Sequence, residues 1–520
     1  MAAVRNVLFI MCDQLRADHL GCYGHPHLAT KNLDALARRG LRFERAFVQS
    51  GVCGPSRMSF YTGRYVSSHG ATWNRVPLSV GEITLGELLA RAGQPLALAG
   101  KTHVTTDDAG LERLALDEGN ELGRLLAAGG FIELDRHDGH RAEPASAYAN
   151  WLRARGYDSA DPWTDYVIAA VDARGRIVSG WNMRNAALPA RVAEEHSETA
   201  YTTGRALEFI RAQGDAPWVL HLSYVKPHWP YLAPAPYHAR YALDECLPVA
   251  RDARELAHAH PVLAAYRRHE ECVNFMRDEV WRTVRPTYQG LVQQIDDHLG
   301  RVWEELDRLG RWADTLIVFT ADHGDYLGDH WLGEKEHFHD VVQRVPLIVY
   351  DPDPSADGAR GRAEPRFVEA VDLAPTVLDA LALPIPRERM EGRSLLPLLR
   401  GVPTEDWRDA VFSELDYAYR EARRTLGRSP DECRAWMVRT ERWKYVHWQG
   451  FRPQLFDLAA DPGEFDDRGD DPALEDVGRE MRERLRDWFM GLKRRVTVTS
   501  EQVEAGTGAH KEAGVHFGVW

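Results

Sequence analysis

The chain has 520 residues, enough for one large catalytic unit and a smaller one, and its 44% hydrophobic and 27% charged residues exclude collagen-like and low-complexity classes. Its 64 Lys and Arg against 78 Asp and Glu give a net charge of −14, which disfavours whole-surface attraction to nucleic acid or an anionic membrane. An anionic ligand therefore needs a local cationic pocket.

The first apolar run, residues 6–12, ends at Asp13. It is too short for a signal-peptide core or a bilayer span and reads as a first strand. Runs at 95–99, 218–224, 316–320 and 346–350 read as further strands. Residues 287–309 form an amphipathic helix with Leu291, Val292, Ile295, Leu299, Val302 and Leu306 on one stripe. Strands alternating with amphipathic stretches predict an α/β fold. Four of these strands are followed at once by polar or ionisable residues: Asp13 and Gln14, Lys101 and His103, Lys226 and His228, Asp322 and His323. Ligands bind at the carboxyl ends of strands in an open α/β sheet, so these residues are expected to converge.

Residues 105–197 and 233–279 lack clean periodicity and are expected to be loop-rich insertions that shape a substrate entrance. A helix at 373–381, then Pro- and Gly-bearing connections up to 403, predict a catalytic domain over 1–402. Short strands at 410–413, 436–439, 444–447 and 454–457, then a helix at 472–490, predict a small α+β subdomain over 403–490. A tail at 491–520 follows, expected at an oligomer interface. No internal repeat is visible. The cysteines, Cys12, Cys22, Cys53, Cys246, Cys272 and Cys433, have no short repeated spacing, which fits a reducing compartment, so a cytoplasmic location is expected.

The most specific run is Cys53-Gly54-Pro55-Ser56-Arg57, followed by Thr62-Gly63-Arg64. A Cys near an Arg at the start of a helix is expected to have a depressed pKa and to act as a nucleophile, whereas a lone Cys is more often a small buried hydrophobe. Asp13, Gln14, Asp322 and His323 offer a divalent ion two carboxylates, an amide oxygen and an imidazole. The bland alternative makes the aspartates helix caps and His323 a core histidine. Two Asp-bearing pairs flanking one nucleophile at strand ends favour ligation.

These runs resemble the signature of the type I, formylglycine-dependent sulfatases of the alkaline-phosphatase superfamily, a family that includes a phosphonate monoester hydrolase branch. The resemblance continues through residues 6–24, 30–37, 100–103 (G-K-x-H), 226–228 (K-P-H), 320–325, 371–376 and 445–464. It implies an alkaline-phosphatase-like core, a large mixed and mostly parallel sheet between helices, plus a smaller C-terminal domain with a short antiparallel sheet and a helix. It implies that a formylglycine-generating enzyme oxidises Cys53, that the hydrated aldehyde attacks the ester, and that a covalent sulfated hemiacetal forms. Arg57 would then hold the nucleophile and metal ligands in register, and Lys101 and Lys335 would bind the transferring oxygens. His228 with Lys335 would protonate the leaving oxygen, and His103 would deprotonate the remaining hydroxyl. Asn74 and Lys226 are the substrate-binding candidates.

The family often has three Asp and an Asn around its ion, so Gln14 and His323 are departures that add a nitrogen donor and shift preference from Ca²⁺ toward Mn²⁺, with Ca²⁺ the alternative. The phosphonate branch shares this pair and a tail resembling residues 514–520, but it tends to have Tyr and Thr where this chain has Lys101 and His103. The resemblance thus ranks sulfate monoesters first and phosphonate monoesters or phosphodiesters second. It implies a small anionic ester as ligand, no nucleic-acid or membrane partner, and a homo-oligomer, dimer or tetramer. A non-catalytic binding protein on this fold would be expected to lack some of Cys53, Arg57, Asp13, Asp322 or the lysines, and all are present.

Overall fold

The computed structural model describes residues 4–117, 119–139, 146–516 and 518. In chain order the strands are β1 (Asn6–Asp13), β2 (Leu41–Phe47), β3 (Leu96–Gly100), β4 (Phe131–Arg136), β5 (Ala169–Val171), β6 (Ile177–Ser179), β7 (Val219–Pro227), β8 (Thr315–Ala321), β9 (Arg344–Tyr350) and β10 (Ala363–Glu369). Eight of them form one sheet in the order β10-β2-β9-β8-β1-β7-β3-β4, while β5 and β6 make a separate hairpin. Every neighbouring pair in the large sheet is parallel except the two made by β9. The α/β fold expected from the sequence is the one observed.

β1 sits at the centre with every residue buried, as a strand covered on both faces requires. Val7 lies opposite Val219 of β7 and Leu316 of β8. Because β1, β3, β7 and β8 run the same way, their carboxyl ends bring Asp13, Lys101, Lys226 and Asp322 to one edge of the sheet.

Two sequence expectations need correction. The amphipathic helix begins well before 287, spanning Asp278–Leu309 with Pro286 inside. A proline usually marks a helix boundary, but Val280 and Val284 are buried on the core face upstream of it, and that packing carries the helix through. Residues 105–197 are also more than an insertion, since they supply β4, which pairs in parallel with β3 at the sheet edge. Its sequence FIELDR exposes Ile132 and Glu133, so it lacks the apolar run of an inner strand. Residues 233–277 are loops and short helical turns.

β11 (Ala410–Asp416), β12 (Arg434–Thr440), β13 (Trp443–Trp448) and β14 (Gln454–Asp457) form an antiparallel meander. The helix Glu475–Gly491 covers one face through Met481 and Leu485, which pack with Val438, Tyr445 and Leu455. The small sheet also grips the catalytic unit. Glu414 N–H donates to Gln49 O at 2.8 Å, and Lys444 Nζ donates to Phe338 O at 2.7 Å and pairs with Asp340 at 2.6 Å. The tail carries helices at Ser500–Gly506 and Ala509–Glu512 with no buried residue. Phe517, Val519 and Trp520 of the branch-like terminus lie outside the described residues. All six cysteines are unpaired, and among the described residues no helix is long and apolar enough to cross a membrane.

Lys444 is buried and also pairs with buried Glu464, so Lys444→Met would strip Glu464 of its cation and leave Asp340 with Arg439 alone. It is expected to lower stability by about 3 kcal/mol, read as a fall in the urea midpoint. An unchanged midpoint would show that this ion pair does not fasten the two units.

Candidate active site

Cys53 is the first residue of the helix Cys53–Thr62, all ten residues of which are buried. Asn74 Oδ1 accepts from Gly54 N–H at 2.7 Å, and a Cβ at position 54 would lie 2.8 Å from that oxygen. Asn74 thus holds the N-terminus of the nucleophile helix, and a larger residue after the cysteine would require the Asn74 side chain to shift. Arg57, one turn on, is fully buried. Its guanidinium donates to Asp322 Oδ2 (2.7 Å), Asp13 Oδ2 (3.3 Å), Lys101 O (2.8 Å) and Ser223 Oγ (2.9 Å). Ser56 Oγ donates to Asp322 O at 2.6 Å.

Asp13, Cys53, Asp322 and His323 are buried, with one ligand atom from each within 4.8 Å of the others. His323 Nδ1–H donates to Gly324 O at 2.9 Å, which leaves Nε2 as the lone-pair nitrogen, 3.1 Å from Cys53 Sγ, 3.7 Å from Asp322 and 3.9 Å from Asp13. Burial lowers the pKa of His323 and keeps it neutral. Burial by itself would raise Asp13, but Lys101, His228, Arg57 and Lys335 outweigh it and hold the carboxyl well below its usual range. Two carboxylates and a neutral imidazole facing one point fit a divalent cation. Gln14 has left-handed backbone (φ 65°), and its Nε2 donates to Asp325 Oδ2 at 2.6 Å while its Oε1 accepts from Lys335 Nζ at 2.9 Å.

Glu255, His330 and His339 form a second buried cluster. Its two rings stack at 3.9 Å and 22°, and His339 Nδ1 is bonded to Tyr326 Oη at 2.7 Å. Glu255 is already bonded to His330 at 2.8 Å and lies 3.8 Å from Arg267.

The depressed thiol pKa expected of Cys53 is not found. Burial and the Asp13 carboxylate push it up to about 11, the lysines notwithstanding, so the unmodified thiol is a poor nucleophile near neutrality.

Lys101 Nζ lies 2.5 Å from Asp13 Oδ2. The turn that aims it needs Gly100, which has φ 109° and whose Cβ would fall 1.9 Å from Ser223 O. His103 is also left-handed (φ 58°), and its N–H and that of Thr102 donate to Asp138 Oδ1 at 3.2 and 2.9 Å. His228 places Nδ1 2.7 Å from Trp229 O and Nε2 2.9 Å from Lys335 Nζ. Lys226 turns away from this pair. Its ammonium donates to the carbonyls of His228 and Pro230 at 3.2 and 3.0 Å and lies 3.7 Å from Glu198, so it braces the loop that carries His228. Asp325 and Tyr231, bonded to each other at 2.6 Å and both to Gln14, went unassigned in the sequence. Asp325 closes the 320–325 motif and was open to assignment, whereas nothing local marks Tyr231.

The sulfatase family profile matches residues 5–118 and 123–383. This chain belongs to the sulfatase family. A profile for the C-terminal part of N-sulphoglucosamine sulphohydrolases also matches residues 328–490. The chain is 34% identical over 504 residues to the multifunctional alkaline phosphatase superfamily protein PehA of Trinickia caryophylli, covering 93% of this chain and 95% of that protein. Its fold superposes on the phosphonate monoester hydrolase of Agrobacterium radiobacter with a TM-score of 0.82 at 30% identity, covering 96% of this chain and 99% of the other. The corresponding enzyme from Silicibacter pomeroyi gives 0.84 at 31%, covering 96% and 98%. These sulfatase-family relatives weigh against ranking sulfate monoesters first, the order drawn from Lys101 and His103.

One divalent ion per chain is expected in active protein by elemental analysis. Chelation should abolish turnover and Mn²⁺ should restore it, while Asp322→Asn should lower the bound metal at unchanged secondary structure. Full activity in exhaustively demetallated protein would contradict the assignment.

Proposed function

We propose that this sulfatase-family hydrolase cleaves phosphonate monoesters and phosphodiesters, with sulfate monoesters as a second substrate class. The observation that carries this reading is the near end-to-end alignment of the chain with PehA and two phosphonate monoester hydrolases, around the buried cluster of Asp13, Cys53, Asp322 and His323 with Gln14 next to Asp13 in sequence. The second class is favoured by Lys101, beside Asp13 at 2.5 Å, and by His103. Sulfate monoesters and phosphonate monoesters both present a single negative charge, so charge alone does not separate them.

In this reading Cys53 is oxidised by a formylglycine-generating enzyme, and the hydrated aldehyde supplies the attacking hydroxyl. A divalent ion held by Asp13, Gln14, Asp322 and His323 supplies positive charge where the ester oxygens gather negative charge. Lys101 and Lys335 bind the non-bridging oxygens, and Arg57 fixes the two carboxylates relative to the nucleophile. His228 holds its ring through Nδ1–H on Trp229 O, and its Nε2 stands beside the Lys335 ammonium, so the pair would donate one proton to the leaving oxygen. The bond from phosphorus or sulfur to that oxygen breaks as the new one forms, and the alcohol departs protonated. His103 then accepts the proton of the second hydroxyl, so the aldehyde re-forms and the acid leaves. The unpaired cysteines are consistent with a reducing compartment, and the cytoplasm is the location we propose.

Steady-state kinetics on the 4-nitrophenyl esters of methylphosphonate, ethyl phosphate and sulfate test the order. The kcat/KM for the phosphonate and the diester should exceed that for the sulfate. A sulfate preference would promote the second class, and no turnover of any of them would overturn the proposal.

A further inference from the structure

The groups that deliver the proton have aromatic neighbours. Lys335 Nζ lies 5.9 Å from the Trp229 ring centroid, and that ring stands 4.7 Å from the His228 ring. Trp181 meets Trp229 edge to face at 4.9 Å and is 44% exposed. Behind Trp181, at 6.2 Å, Trp163 is buried, and its indole N–H donates to Glu198 Oε1 at 2.9 Å. The row of indoles therefore runs from the buried, hydrogen-bonded Trp163 through exposed Trp181 to half-buried Trp229 beside His228. Trp163 and Trp181 come from the chain between β4 and β7, outside the motif-bearing runs.

We propose that Trp181 and Trp229 form the leaving-group subsite of this enzyme and that it takes a flat, uncharged aromatic group. The inference rests on the ester-hydrolase reading for orientation. A leaving oxygen protonated by His228 and Lys335 must lie beside them, so its substituent continues past Trp229 toward Trp181. An aromatic substituent gains edge-to-face and stacked contacts that a flexible alkyl chain does not. Indoles also attract quaternary ammonium groups, but here the Lys335 ammonium already faces Trp229, and Lys101 and Arg57 add positive charge. A cationic leaving group is thus repelled from the wall that would otherwise hold it. A ring pinned by other rings at the rim of a buried polar site is a pre-formed wall, which a ligand meets at little ordering cost.

The test uses metal-loaded, formylglycine-bearing protein and three phosphinates in which CH₂ replaces the bridging oxygen: benzyl(methyl)phosphinate, butyl(methyl)phosphinate and methyl[3-(trimethylammonio)propyl]phosphinate. Calorimetric titration should rank benzyl tightest, about tenfold over butyl, with the ammonium compound weakest. The benzyl-to-butyl ratio should fall toward one in Trp181→Ala and be largely kept in Trp181→Phe. Equal binding of benzyl and butyl by the unaltered protein, a ratio untouched in Trp181→Ala, or tightest binding of the ammonium compound would each overturn the subsite. The corresponding oxygen esters are assayed in parallel. Selective benzyl binding without turnover of any of them would uphold the subsite and remove the hydrolase reading, so the two failures are separate.

Discussion

The Arg57 guanidinium is the contact on which the rest of the site depends. It is buried completely, and an arginine cannot be deprotonated there, so its donors must find acceptors inside the protein. They find them at the ends of β1, β3, β7 and β8, through Asp13, Lys101 O, Ser223 and Asp322. One planar group thus fixes the separation of the two carboxylates and the height of the Cys53 helix above the sheet. A lysine would carry the same charge without the fork, so the position is specific to arginine.

Around that contact the buried charges alternate. Asp13 faces Lys101 and Arg57, and Lys335 bridges Gln14 and His228. The segment carrying Lys335 is left-handed at Glu334 (φ 59°) and Glu336 (φ 96°), conformations that persist in non-glycine residues only when the surroundings impose them. The surroundings here include Gly51, whose carbonyl accepts from Glu336 N–H at 3.2 Å, and Arg420, in the connection between β11 and β12, 3.1 Å from the Glu336 carboxylate. The C-terminal unit therefore bears directly on the geometry beside the nucleophile.

Much of this was legible in the sequence because it is local. Strand-end motifs such as Asp13-Gln14 and Asp322-His323 announce themselves through an apolar run that stops at a carboxylate, and parallel strands carry such ends to one edge. What escaped is set by partners far along the chain. β4 reads as polar because it is an edge strand, and Pro286 reads as a stop because the packing that overrides it is tertiary. The left-handed backbone of Gln14 and His103 follows from the contacts each residue must reach, not from its own preference. The raised pKa of Cys53 follows from complete burial beside Asp13, which a nearby arginine in the sequence does not reveal. The place of Tyr231 beside Asp325 and the bracing role of Lys226 likewise depend on the fold of the loop after β7.

The central claim of the proposed function is that Cys53, buried among Asp13, Asp322 and His323, acts only after its thiol has been converted to formylglycine. Peptide mass spectrometry across preparations with different extents of Cys53 conversion tests it most directly. The account predicts that turnover per chain rises in proportion to the fraction of Cys53 present as formylglycine and extrapolates to zero at no conversion. Full turnover from protein whose Cys53 is entirely an unmodified thiol would contradict it.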